Sequence, residues 1–317
     1  MKNNIFWILA FILLTSCHPS LRGNAVPVIG FLDALEDETI SQAKKGFFDA
    51  LRDSGYSEDM GNIKIIYRNA QGDIPTLTQA CDYFISENVD IIAANATIST
   101  ITATQKTSTI PVCMMVSPTP ELMHLTDKDG KAPANLFGVY ENLDYIDSAI
   151  GIIQTLFPKA KRLGVIYNQS EPQSISAFEH IKKQCSLSGL ELISLPVNSS
   201  SETQMVTQSI LNKGVDAFFA MPDNTVFASF EVIAQSCNDA KIPVFTGEEG
   251  LVKRGSLAAF GADMYQWGYQ AGGDAIQYLR TKKIPSPELV KRRKRLINSR
   301  IAEKFGININ SITFTPI

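Results

Sequence analysis

Six short polar stretches break the apolar runs of this 317-residue sequence, and its chemistry must lie in them. In the first half they are Leu32-Asp33-Ala34, Asn95-Ala96-Thr97 and Ser117-Pro118-Thr119. In the second half they are Asn168-Gln169-Ser170-Glu171, Pro222-Asp223-Asn224 and Glu248-Glu249. The two sets differ in polarity. Thr97, Ser117 and Thr119 offer hydroxyl donors where helices begin, and the free N–H groups of a helix start also favour an anion. Asp223 and Glu248 or Glu249 offer anionic acceptors suited to an ammonium group. Set face to face, the two rims would hold a carboxylate on one side and an amine on the other, the complement of a zwitterionic amino acid. Each of these residues singly also fits an ordinary helix N-cap, and Asp223-Asn224 ahead of TVFASFEVIA fits that role well. Both readings stay open at this level.

Catalytic constellations are thin. The histidines are His18, His124 and His180, and no GxSxG, HExxH, CxxC or P-loop pattern occurs. Gly272-Gly273 lies inside a helical segment instead of after a strand, which leaves a dinucleotide fingerprint unsupported. The expectation is a binding protein with no catalytic residue, no cofactor and no metal.

The elements that must position these stretches are legible as an alternation. From Val28 onward, β-branched apolar runs alternate with segments of helical period: VPVIGFLDA, then DETISQAKKGFFDALRDSGY, in which Ile40, Ala43, Phe47 and Leu51 share one face and Gly55 closes the helix. NIKIIYRNA, PTLTQACDYFISEN, VDIIAANA, TISTITATQKT and IPVCMMVSPT continue the series. Strands so continuously apolar belong to a parallel sheet with helices on both faces. NLFGVYENLD opens a second round, in which Val215-Asp216 echoes Val89-Asp90 and Ile242-Pro243-Val244 echoes Ile110-Pro111-Val112. The predicted fold is α/β, two doubly wound parallel-sheet lobes. A third part, SLAAFGADMYQWGYQAGGDAIQYLR, adds a strand and a helix, and KRLINSRIAEKFGI a last short pair. Crossings between lobes are expected near Tyr140 to Asn142, Gly250 to Gly255 and Ile284 to Glu288.

The amino terminus carries a separate signal. MKNNIFWILAFILLTSC has a basic start, an apolar run too short to span a bilayer as a mature helix, and a small-residue exit, the layout of an export signal. Leu14-Thr15-Ser16-Cys17 is similar to a bacterial lipobox, so Cys17 is the expected acylation site and HPSLRGNAVP a polar tether. A net charge of -3 argues against a nucleic-acid partner. The basic run Lys291 to Leu296 is read as a solvated edge or loop. Cys81, Cys113, Cys185 and Cys237 are expected as free thiols.

NLFGVYENLD, KRLGVIYNQSEPQS, MPDNTVFASFEVI, IPVFTGEEGLVKRGSLAAFGADMYQWGYQAG and LINSRIAEKFGI, taken together, resemble the ABC-transporter substrate-binding lipoproteins of the tryptophan/tyrosine-binding type, within the type I periplasmic-binding-protein fold. The resemblance covers nearly everything after Cys17. It implies a signal peptide over residues 1–16, a lipidated tether over 17–27, one lobe from 24–140 with 255–283, and a second from 141–254 with 284–317. It also implies three crossings, closure on one small ligand such as an aromatic amino acid, delivery to an ABC permease, and a lipid anchor to a bacterial membrane outside the cytoplasm. The site residues it implies are Thr97 and Ser117 for the carboxylate end, Asn168 and Ser170 on the opposite lip, and Asp223 for the amine; Asn224 and Glu248, from the strand ends, complete the candidate ligand-binding set. Tyr140 and Phe31 are packing partners for an aromatic ligand or plain core. The sequence departs from the family pattern in LDALEDETI, NATISTIT and GEEG, which bears on the ligand. A ligand-sensing receptor domain and a nucleoside- or sugar-binding lipoprotein of the same fold are the alternatives.

Overall fold

The structure is a computed structural model that describes residues 26–36 and 38–317. Cys17, the signal peptide and most of the expected tether lie outside the described residues. The chain begins with β1 (Val28–Asp33), α1 (Glu38–Asp53), β2 (Lys64–Asn69), α2 (Ile74–Ser86), β3 (Ile91–Asn95), α3 (Thr97–Lys106), β4 (Val112–Pro118) and β5 (Leu136–Glu141). The next round runs α4 (Tyr145–Leu156), β6 (Arg162–Tyr167), α5 (Pro172–Ser188), β7 (Glu191–Pro196), α6 (Thr203–Leu211), β8 (Ala217–Ala220), α7 (Asn224–Ala228), α8 (Phe230–Asp239), β9 (Val244–Thr246), α9 (Glu249–Lys253) and β10 (Ala258–Ala262). The chain ends with α10 (Met264–Thr281), β11 (Glu288–Leu289), β12 (Arg293–Ile297), α11 (Ser299–Lys304) and β13 (Thr315–Pro316).

Two sheets result, in the orders β11-β5-β4-β3-β1-β2 and β13-β12-β10-β9-β8-β6-β7. All described pairings are parallel except β10 with β12. Strand periodicity divides each core in two. In lobe one, Ile29, Phe31, Ile91, Ala93, Cys113, Met115, Phe137 and Val139 pack with α1 and α10. Their alternates Leu32, Ile92, Ala94, Val112, Met114 and Leu136 pack with α2 and α3. In lobe two, Leu163, Val165, Ala217 and Phe219 meet α4, α5 and α11, while Ile166, Phe218 and Ala220 meet α6, α7 and α8. Helices α1 and α10 touch backbone to backbone: a Cβ on Gly268 would stand 1.8 Å from the Ala43 carbonyl oxygen, and one on Gly46 would stand 2.0 Å from that of Tyr265. Four thiols, Cys81, Cys113, Cys185 and Cys237, are buried and free.

Two expected boundaries move. SLAAFGAD forms β10, which lies in the second sheet between β9 and β12 and not in lobe one. The five-residue α9 suffices to carry the chain one strand over, so the crossing falls at Ala262 to Met264 and not at Gly250 to Gly255. Residues 288–289 pair with β5 in the first sheet, which places the third crossing between Leu289 and Arg293. The basic run is accordingly no free edge. Arg293 binds Glu141 with two bonds of 2.6 and 3.2 Å, and Lys294 lies 3.1 Å from Asp263 and 3.4 Å from Glu249. The Asp263 N–H donates to the Arg292 carbonyl at 3.0 Å. The first and second crossings are therefore each tied to the third. Burial holds the Glu141 carboxyl above the usual carboxylate range, against the pull of the Arg293 guanidinium.

Candidate ligand-binding site

In sheets of this kind ligands lie beyond the carboxyl ends of the strands, and there the two lobes meet. Lys253 in α9 forms an ion pair with Glu38 at the start of α1, linking the rim of the second sheet to that of the first. On the lobe-one rim, Asp33 is 1% exposed. Its Oδ2 accepts from Lys44 Nζ at 2.8 Å and from the Tyr67 hydroxyl at 3.0 Å, and its Oδ1 accepts from Asn95 Nδ2 at 3.0 Å. Partial burial pulls the Lys44 pKa down, but hydrogen bonds to Asp33 and Tyr67 outweigh it and hold the ammonium above its ordinary value.

Beyond Asn95 the chain turns through Ala96 at φ 76° into α3, whose start carries no side-chain cap. Thr97 is half-buried at the first position of that helix. Ser117 is buried, 3.0 Å from the Thr100 hydroxyl, and donates to the Met115 carbonyl at 3.2 Å, so its hydroxyl braces the junction of β4 and α3. The register of β4 shifts between Met114 and Ser117, and Val116 stands at φ 52°, an uncommon conformation for a β-branched residue.

On the lobe-two rim, Asp223 is 1% exposed, and its oxygens are largely taken up by the lobe itself. Oδ1 accepts from the Val226 N–H at 2.9 Å, which caps α7, and Oδ2 accepts from the Asn168 N–H and the Ser174 hydroxyl, each at 2.6 Å. Three of about four acceptor positions on a carboxylate are thus occupied. Glu171 covers the rest of the α7 start: its carboxylate accepts from the N–H groups of Asn224 at 2.9 Å and Thr225 at 3.3 Å, and from the Thr225 hydroxyl at 3.0 Å. Asn168 donates from Nδ2 to the Thr225 hydroxyl at 2.8 Å and accepts the Ser170 N–H at 2.8 Å. Ser170 and Asn224 are exposed on the lip, and Glu248 is half-buried with its N–H on the Thr246 hydroxyl at 3.2 Å. Burial, with the Glu248 and Glu141 carboxylates nearby, holds the Tyr145 phenol far above its ordinary value. Among the described residues no group of three or more His, Cys, Asp or Glu side chains converges as a metal site.

The profile of a family described as ABC transporter substrate binding protein matches residues 28–314. The chain belongs to that family. A tyrosine-binding protein of Clostridioides difficile (strain R20291) is 35% identical over 256 residues, 81% of this chain and 73% of that protein. A ligand-free, open substrate-binding protein with adhesive properties from Clostridium difficile superposes with a TM-score of 0.80 at 27% identity, covering 92% of this chain and 99% of the other. A Streptococcus pneumoniae ABC domain in complex with L-Trp superposes with a TM-score of 0.77 at 26% identity, covering 90% and 96%. The fold is that of type I periplasmic binding proteins, and proteins of this family are extracytoplasmic transporter components.

For an ABC substrate-binding protein the two rims are the candidate place for the cargo, and two of the expected packing residues lie away from them. Phe31 is not on the rim: it is fully buried, with its ring 5.5 Å from Phe47 and 4.9 Å from Phe48, because it alternates with the residues that face α2. Tyr140 is half-buried against the opposite cluster. Sequence reasoning gave Glu171 no role and missed Ser174; from just before α5 and from its first turn, these two hold α7 and Asp223. A carboxylate at the residue before Pro172, the first helical residue, was the available signal. It also missed Arg293 and Lys294 as hinge residues, for which Glu141 and Asp263 at the other crossings were the counterpart charges.

Proposed function

We propose that this ABC substrate-binding protein captures an aromatic amino acid between its two lobes and delivers it to a membrane permease, anchored outside the cytoplasm by acyl chains on Cys17. The observation that carries this reading is the meeting of the two rims at the Glu38–Lys253 pair, with an uncapped α3 start on one side and the acidic turns of lobe two on the other. The start of α3, with Thr97 and Ser117 at its base, receives the carboxylate. Ser170, Asn224 and Glu248 on the opposite lip, with Asn168 and Asp223 behind them, close over the ligand from lobe two. The tyrosine-binding relative and the L-Trp complex support an aromatic cargo. Calorimetric titration with L-tyrosine and L-tryptophan, beside myo-inositol, ribose and adenosine, tests it. Saturable binding of an aromatic amino acid alone is expected. Binding of a sugar or nucleoside in its place would overturn the reading.

A further inference from the structure

Among the described residues, four buried side-chain polar atoms have no hydrogen-bond partner: Asn95 Oδ1, Ser99 Oγ, Thr207 Oγ1 and Asp274 Oδ2. Two of the four flank one turn on the lobe-one rim. Asn95 ends β3, Ser99 is the third residue of α3, and both are fully buried. The Asn95 amide has one sensible orientation. Its Nδ2 faces Asp33 Oδ1 at 3.0 Å and the Ile40 carbonyl at 3.4 Å, both acceptors. A flipped amide would set oxygen against oxygen. Oδ1 is therefore an acceptor left over, and the carboxylate hydrogen-bonded to the far side of the amide makes that oxygen a better one. A buried acceptor of this kind is costly to leave unmade and calls for a donor.

One residue further on, the polarity reverses. The N–H groups of Thr97, Ile98 and Ser99 find no acceptor among the described residues. The Ser99 hydroxyl, in the first turn of that helix, is a further donor without a partner. Ala96 at φ 76° and Val116 at φ 52° hold the adjoining ends of β3 and β4 in sparsely populated conformations. Acceptor and donors thus fall within residues 95–99 at one turn of lobe one, as the ammonium and carboxylate of an α-amino acid share one carbon. Asp223, the alternative ammonium partner, has three of its about four acceptor positions taken by Val226, Asn168 and Ser174.

We propose that lobe one alone recognises both charges of the ligand's head, the carboxylate at the start of α3 with Ser99 and the ammonium at Asn95 Oδ1. This rests on the amino-acid reading above and changes where the ammonium goes. Lobe two then closes over a head group already bound.

The test is calorimetric titration of the full chain with L-tyrosine, with its desamino analogue 3-(4-hydroxyphenyl)propanoate and with L-tyrosinamide. L-tryptophan and its corresponding analogues replace them if the parent prefers it. Asn95→Leu should weaken the amino acid about tenfold or more, the loss of a hydrogen bond to a charged group, and leave the desamino acid nearly unchanged. Ser99→Ala should weaken the amino acid several-fold and leave the carboxamide nearly unchanged. Asp223→Asn should keep the parent's preference for the amino acid over the desamino acid. If Asn95→Leu fails to melt cooperatively, Asn95→Ser carries the same expectation. Equal loss for amino acid and desamino acid in the Asn95 variants would overturn the proposal, leaving Asn95 as scaffold or the seat of a buried water. So would loss of the ammonium preference in Asp223→Asn. A parent that binds no amino acid would overturn the amino-acid reading itself, and this inference with it.

Discussion

Asp274→Asn should stabilise the protein at neutral pH and remove part of its pH dependence. Asp274 lies on α10, its Oδ2 buried without a partner. Burial, the Glu288 carboxylate and, in the opposite direction, the Lys291 ammonium carry its pKa from the ordinary 3.8 to about 7, and the buried Cys113 thiol feels its charge from β4. At about 1.4 kcal/mol per pH unit, ionisation disfavours the folded state by roughly 4 kcal/mol once the pH is above both values. The sign follows from proton counts. Between about pH 4 and pH 7 the folded chain holds a proton that the unfolded chain has lost, so stability falls as pH rises. The amide keeps the shape, removes the charge and brings its own unpaired polar atoms. A gain of about 2 kcal/mol at pH 8, falling as the pH falls and turning into a loss of about 2 kcal/mol near pH 4 where only the amide's unpaired atoms count, is the expected net. Urea unfolding of parent and variant across that range measures it. Stability curves that run parallel from acid to neutral pH would refute the reasoning, since no protonation of Asp274 would then be linked to folding.

Asp223→Ala removes the cap of α7 and strands the Asn168 N–H, and should lower stability by about 1–3 kcal/mol, read as a drop of several degrees in a thermal melt; an unchanged melt would mean its bonds within lobe two count for little. Arg293→Met leaves Glu141 buried at the first crossing without its partner, and should cost about 3–5 kcal/mol in urea unfolding. A loss under about 1 kcal/mol would show that water reaches Glu141 once the guanidinium is gone. Cys17→Ser should release the protein from the membrane fraction of fractionated cells, and a variant that stays bound as tightly as the parent would remove the lipid anchor from the proposed function.

The alternation of strands and helices was legible because burial on both faces demands continuous apolar runs: IIAAN in β3 and AFFA in β8 are buried at every position. The division into lobes was not. β10 and β11 are short, and what assigns AAFGA to the second sheet and Glu288-Leu289 to the first is pairing with partners far along the chain, which local periodicity does not encode. The polar strand ends were legible as two rims, and the partners of their side chains were not. Strand ends were rich in Ser, Thr, Asp and Asn as expected, but whether such a side chain faces a ligand or its own lobe depends on what folds back against it. Ser174 in α5 and Glu171 just before it decide this for Asp223 and Asn224, and Lys44 and Tyr67 decide it for Asp33.

The energetics of closure divide the two rims by role. The Glu38–Lys253 pair joins the lips, but its side chains are 72% and 44% exposed, and exposed pairs contribute about 0–1 kcal/mol. That is less than the tenfold population bias that about 1.4 kcal/mol provides, so the pair alone does not hold the lobes shut. The buried Glu141–Arg293 pair joins two of the crossings themselves, where rotation displaces groups least, and a pair that persists through rotation favours neither arrangement. The ligand must supply the difference, and only through contacts that exist in one state. In the proposed function, contacts to lobe one are made whether the cleft is open or closed. They raise affinity equally for both and shift nothing. In the same reading, contacts to the lip of lobe two form only on closure. Changes at Asn95 or Ser99 should therefore alter how tightly the ligand is held in any state, whereas changes at Ser170 or Asn224 should alter how far binding drives the lobes together.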